Sequence, residues 1–446
     1  MSGALAGYDA PRAPLALGRP AALAGALWNL EAAALFCYFT RDLTAGALRY
    51  YLTIFGLGPL WFIPDILAAA CLAAFIGRHV IREGSAVALL TVLYTAFSLG
   101  IGLIVLGNVA AMASAFKMIL PVFVGFCFCD RALGDYRRLL ASIHAMFYVA
   151  TFGVILSSLQ EMPWVGFKYE AFGAVREAGR LWWAGDEGVR LSGLAADSTM
   201  AGFFVLITFG LAAPRRSTLW CLAAAPLAIY ALVLTTSKTS LAVLVVYLAA
   251  LLVVRALPRE ARFPVLRRLG LGSFLAIFIP AILVIVCSGI DLEGINPILF
   301  SMQDRINNSW QLPFVYMLRM APTGYLIGCG LGCFNYPQEL FAPKLANYNV
   351  PVDNFYLGTY LMFGVPSLIF VACAVRSLAR SRDGYRYTLA FLLNLFTITV
   401  LSYGPASALL ALGVVFSDVF SRKPHPLTDE RGPPGPDAAE PARGAS

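Results

Sequence analysis

The stretch AVALLTVLYTAFSLGIGLIVL, residues 86–106, decides the fold. It carries no charged side chain, and as a helix rising about 1.5 Å per residue it matches a bilayer core of about 30 Å. Apolar runs of similar length recur in both directions from it. They read as spans over residues 21–39, 63–77, 86–106, 109–128, 138–158 and 195–213, then over 218–235, 239–254, 271–289, 354–375, 387–402 and 404–420. Pro59 and Pro64 interrupt the second run, so residues 51–77 hold either one span or an interfacial segment followed by one. Ser402, Tyr403 and Gly404 barely separate the last two. The expected fold is an all-α polytopic membrane protein of about twelve helices.

Composition points the same way. The 446 residues are 59% hydrophobic and 13% charged, where soluble chains carry about 25% charged residues. The net charge of +8 is therefore read by membrane side and not as a nucleic-acid footprint. No cleavable signal peptide is evident, because the first apolar run contains Glu31 and leads into further spans. One set of alternate connections carries Arg78 and Arg82, then Arg131, Arg137 and Arg138, then Arg215 and Arg216. It continues with Arg255, Arg259, Arg262, Arg267 and Arg268, then Arg376, Arg380, Arg382 and Arg386, with Arg422 and Lys423 after the last span. The short connections of the other set carry only Arg41, Arg49 and Lys238. The positive-inside rule makes the first set and both termini cytoplasmic. Residues 1–420 then form the membrane domain, and 421–446, rich in Pro, Gly and charge, a disordered cytoplasmic tail.

Two long connections, about 159–194 and 290–353, fall on the periplasmic side. They contain Trp164, Trp182, Trp183, Trp310, Tyr316, Tyr325, Tyr336 and Tyr348. Aromatic loops of this length predict short amphipathic or re-entrant helices roofing a cavity. Arg190 and Asp197 stand where the first loop enters a span. Arg190 reads either as an interfacial arginine reaching for water or as an anion clamp. Lys238 lies between Ser237 and Thr239 in a tight turn, either a solvated turn lysine or a phosphate site. Asp353 and Asn354 stand where the second loop re-enters the membrane. Asp353 is either a helix cap or a carboxylate that deprotonates an incoming hydroxyl. Cys329-Gly-Leu-Gly332 would allow close backbone approach to a ligand, and a Cys329–Cys333 disulfide is a further option. Glu31 and Lys117 within spans either pair with each other or mark an ion path. Nine scattered cysteines with no paired ligand motif predict no zinc site.

The order Arg190-x-Ser-Gly with Asp197, Ser237-Lys238-Thr239, Gly330-x-Gly332, Asp353-Asn354-x-Tyr-Leu and Phe363-Gly364-Val-Pro resembles the O-antigen ligase and Wzy-type polysaccharide polymerase superfamily. The resemblance covers residues 185–375 by motif. It implies a metal-independent, cofactor-free, inverting glycosyltransferase in the bacterial inner membrane. Its substrate would be an undecaprenyl-pyrophosphate-linked glycan, and a chain-length regulator a candidate partner. The pyrophosphate would be held by Arg190, Lys238 and Arg319, with Ser237, Thr239 and Asp197 in support. Ligases of the family carry His-Asn where this chain has Asp353-Asn354, which leans toward a polymerase. The alternatives are ligase-type transfer to another acceptor, or a transporter of polysaccharide or lipid without bond chemistry.

Overall fold

The computed structural model describes residues 29–421 apart from 172–173, 181, 184–188, 288, 297–298, 400–402 and 404. The tail expected over 421–446 falls outside it save for Ser421, as do residues 21–28 of the first expected span.

Helix dominates. Among the described residues seven helices are long and apolar enough to cross a membrane: Gly58–Arg82, Ala86–Leu106, Val109–Phe126, Arg137–Leu159, Ser198–Arg215, Lys238–Ala256 and Arg259–Cys287. Thr218–Leu234, Val365–Leu378 and Ala406–Phe420 are apolar but shorter. Ser198–Arg215 is 78% buried and forms the axis of the bundle, whereas Ala86–Leu106 is 17% buried and Gly58–Arg82 22%. Outward-facing apolar side chains such as Leu90, Leu93 and Ile104 suit lipid as the solvent. Where helices cross closely, glycine makes room. A side chain on Gly125 would strike the backbone of Leu410, Gly413 and Val414, and one on Gly413 the backbone of Val122, the small-residue contact by which helices pack in lipid.

Several boundaries differ from the sequence reading. The first helix runs Leu30–Leu43 and, after a break at Thr44, Ala45–Ile54. Arg41 and Arg49, expected in a short connection, are therefore helical and buried. Arg259–Gly272, expected as a loop, continues into the next helix. Glu31 and Lys117 do not pair. Glu31 accepts from Arg131 and from Tyr136 at 2.7 Å, while Lys117 pairs with Asp65 at 3.3 Å.

The end of the bundle holding Glu31 is tied by buried arginine. Arg386, fully buried, donates to the carbonyls of Phe128 (2.8 Å) and Arg131 (2.9 Å) and pairs with Asp418. Eighteen residues beyond Glu31, about 27 Å along the two helical segments, Arg49 marks the opposite end.

At the Arg49 end the first long connection forms strands where helices were expected. Lys168–Ala171 pairs antiparallel with Ala174–Glu177, and Trp182–Trp183 with Val189–Arg190. The second connection does form short helices, and part of it dips inward. The amide of Leu331 donates to the Ser98 carbonyl at 3.0 Å, and Ser98 lies eight residues, about 12 Å, from the end of Ala86–Leu106. Gly330, at φ 91°, lies against the backbone of Gly102. Gly330 thus makes its close backbone approach to a helix. Cys329 and Cys333 are free thiols, Cys333 Sγ donating to the Cys329 carbonyl at 2.8 Å.

Candidate functional site

Burying a guanidinium is unfavourable unless its donors are satisfied. Donors left without protein partners therefore mark places prepared for something else. At the Arg49 end several gather. Arg49 is 8% exposed, yet its Nε and Nη1 have no partner among the described residues. Arg176 Nε, Arg190 Nε and the Thr236 hydroxyl are in the same condition, and none of the three arginines forms an ion pair with a described residue.

Arg49 is held from both sides by aromatic rings. Its guanidinium carbon lies 4.1 Å from the Tyr169 centroid and 5.0 Å from that of Trp61, a geometry that favours a cation. Arg41 lies 5.4 Å from the same Trp61 ring. Beneath runs a neutral network. Arg41 donates to Asp42 (3.1 Å) and Asp65 (3.2 Å), Tyr38 donates to Asp65 (3.0 Å), and Ser407 Oγ donates to Asp42 (2.6 Å). Lys117, a third exposed, completes it through Asp65.

The charge of Arg176 acts on Arg49, on Lys117 and on Tyr336, so each of the three lies within electrostatic reach of Arg176. Arg180 acts on Tyr336 and on Asp197. Tyr336, exposed on the second long connection, lies within electrostatic reach of Asp197, Arg176 and Arg180. Both long connections and the first helix therefore contribute to one cation-rich region.

The predicted residues divide. The Leu191 amide donates to the Leu234 carbonyl at 3.3 Å, which joins the Arg190 segment to the turn that carries Lys238. Gly202 lets that turn pack close, since a side chain there would meet Ser237 and Ser240. Ser237 Oγ donates to Ser240 Oγ at 2.8 Å, and Lys238 and Thr239 begin the next helix. Thr236 is held at φ 51°, a conformation a threonine adopts only under constraint. Asp197 caps Ser198–Ala212 by accepting from the Met200 amide at 2.8 Å.

Asp353 and Asn354 form a second cluster. Asp353 pairs with Arg305 at 3.1 Å, and its carbonyl accepts from Trp310 Nε1 at 2.8 Å. Burial raises its carboxyl pKa, partly offset by Arg305. The helix cap is Asn354, not Asp353. Asn354 Oδ1 accepts from the amides of Tyr356 (2.8 Å) and Leu357 (3.0 Å), while its Nδ2 is buried without a partner. Arg319 is exposed in the last turn of Leu312–Met320. Among the described residues no group of three His, Cys, Asp or Glu could hold a metal ion.

Arg41, Arg49, Arg176 and Arg180 escaped the sequence reading as site residues. The available signal was arginine within six residues of tryptophan or tyrosine, which needs the fold to become a constellation. No family model matches the chain, and neither a curated protein nor a solved structure is similar to it.

Proposed function

We propose that the chain is a twelve-span protein of the bacterial inner membrane with both ends cytoplasmic and the Arg49 end periplasmic. It polymerises oligosaccharide repeat units carried on undecaprenyl pyrophosphate. The observation that carries this reading is the buried guanidinium of Arg49, clasped by Trp61 and Tyr169 with two donors unpartnered. A guanidinium offers a planar fork suited to phosphate oxygens.

A lipid-linked donor keeps its isoprenoid in the bilayer and its pyrophosphate at the interface. Fixed cations at that depth match it. Arg49 and Arg176, with Arg190 and Lys238, hold the pyrophosphate and stabilise its charge as it leaves. The acceptor hydroxyl gives its proton to Asp353. The acceptor oxygen forms the new bond to the anomeric carbon, the bond from that carbon to the pyrophosphate oxygen breaks, and configuration inverts. A carboxyl pKa raised by burial suits Asp353 to accept that proton. Asn354 Nδ2 is available to position the sugar.

The test is incubation of purified protein with one lipid-linked repeat unit. A ladder spaced by the repeat mass is expected. A single transfer would indicate a ligase, and unchanged donor a transporter.

A further inference from the structure

At the opposite end of the bundle the structure opens a cavity of about 370 Å³ between the first helix and Ile63–Phe75. Pockets that hold small ligands start at about this size. Its lining combines apolar Leu30, Ala74 and Phe75 with Arg78, Arg82 and Arg131. The backbone is shaped for this. The helix widens into a π-helical turn over Ile76–Arg82, a feature that recurs at functional sites. The turn buries His79, which bonds Glu83 at 2.8 Å.

The arginines are held and not consumed. Arg78 donates Nε to Glu83 (3.2 Å) and Nη2 to Asp130 (3.0 Å). Arg131 donates Nη1 to Glu31 and, at 3.3 Å, to Tyr136. Among the described contacts this leaves Nη1 of Arg78 and Nε and Nη2 of Arg131. Arg82 is exposed. The side chains of Arg78 and Arg131 are 38% and 41% exposed, so the remaining donors are accessible. The three carboxylates balance the three arginines. Recognition here therefore depends on directed hydrogen bonds to phosphate oxygens more than on net field.

We propose that this cavity binds the phosphate of an anionic phosphoglycerol lipid, with the start of the acyl chains against Leu30, Ala74 and Phe75. A lining of apolar and guanidinium groups together fits an amphiphilic anion better than a free one, and basic pockets between spans at a membrane surface take anionic head groups. The inference rests on the reading that the chain spans a membrane, and on no glycan chemistry. The test contains no glycan donor, so polymerase failure and failure of this site are read separately.

Full-length protein in mixed micelles of phosphatidylglycerol and phosphatidylcholine is examined by native mass spectrometry for retained lipid. Wild type should retain phosphatidylglycerol in about tenfold preference. Arg82→Gln and Arg78→Gln should each reduce that preference severalfold. Arg262→Gln, an exposed arginine on Arg259–Gly272 outside the cavity, should leave it unchanged. Because Arg82 has no described ion pair, its variant tests the site even if Arg78→Gln fails to fold. Equal retention of both lipids, or full preference in Arg82→Gln, overturns the proposal. Displacement of the lipid by inorganic phosphate that then stays bound overturns the lipid assignment in favour of a soluble anion.

Discussion

At the scale of single residues, Arg49 carries the account. Its stem lies in a helix and its guanidinium lies between two aromatic rings, so Arg49→Ala removes charge and packing together. Loss of one preorganised electrostatic partner typically costs about 10²–10³ in rate, and polymer yield from Arg49→Ala should fall by that order. Arg49→Lys should recover little, since an ammonium lacks the planar fork and the ring stacking. Polymer assayed in membranes with matched protein levels checks both, with Arg190→Ala and Lys238→Ala alongside. Asp353 makes a different prediction. Burial raises its folded pKa, so the folded chain holds that proton more tightly than the unfolded chain. Its contribution to stability is then full below the unfolded pKa and is lost as pH rises through the raised value. Asp353→Asn should accordingly unfold at the same or a higher temperature than wild type at neutral pH. Arg305 tolerates the change because it is partly exposed and also bonds Ser301 Oγ at 2.8 Å. If Asp353 is the base, the same variant makes no polymer, and wild-type synthesis declines as pH falls through the raised pKa. Near-normal polymer from Asp353→Asn would leave the residue as a structural partner of Arg305. Arg190 and Asp353 were singled out because each stands beside a long aromatic connection, and Lys238 because it lies among hydroxyls in a tight turn. Arg41 and Arg49 were not, because two arginines within nine residues look like a loop until aromatic and carboxylate partners from elsewhere bury them.

At the scale of elements, apolar run length identified the long helices well, and the errors have physical causes. The first span was ended too early, at residue 39, because Arg41 and Arg49 read as belonging to a short connection. In the fold Asp42 satisfies Arg41 and Ser407, and the charges disappear into a network. The strands of the first long connection were missed because four-residue pairs leave almost no periodic signal. The glycines of the second connection were seen, but the helix that Gly330 packs against was not. Gly330 stands at φ 91° against Gly102, so it needs both the left-handed conformation and the missing side chain. Gly330→Ala should destabilise the protein by about 1–3 kcal/mol, read as a lower unfolding temperature in detergent. Gly84→Ala is the control, because it shares a positive φ but has open space around it. A larger loss at Gly330 than at Gly84 isolates the steric contact from the backbone strain.

At the scale of the whole molecule, the two ends of the bundle differ in kind. One is tied by Arg386 and its acidic partners and holds the cavity beside Arg78 and Arg131, and at the other Arg49, Arg176 and Arg190 carry donors without partners among the described residues. The alternation of arginine-rich and arginine-poor connections orients the chain. Reporter fusions after Arg386 should therefore read cytoplasmic, and insertions near Arg176 or Asn307 periplasmic. The central claim joins that orientation to chemistry: glycan polymerisation takes place at the Arg49 end. The direct measurement uses proteoliposomes in which the protein faces one known way and the lipid-linked repeat unit occupies one known leaflet. The account predicts a polymer ladder when the donor lies in the leaflet that meets the Arg49 end, and unchanged donor when it lies in the other. A ladder of equal yield from the leaflet at the Arg386 end, or none from either, would contradict it.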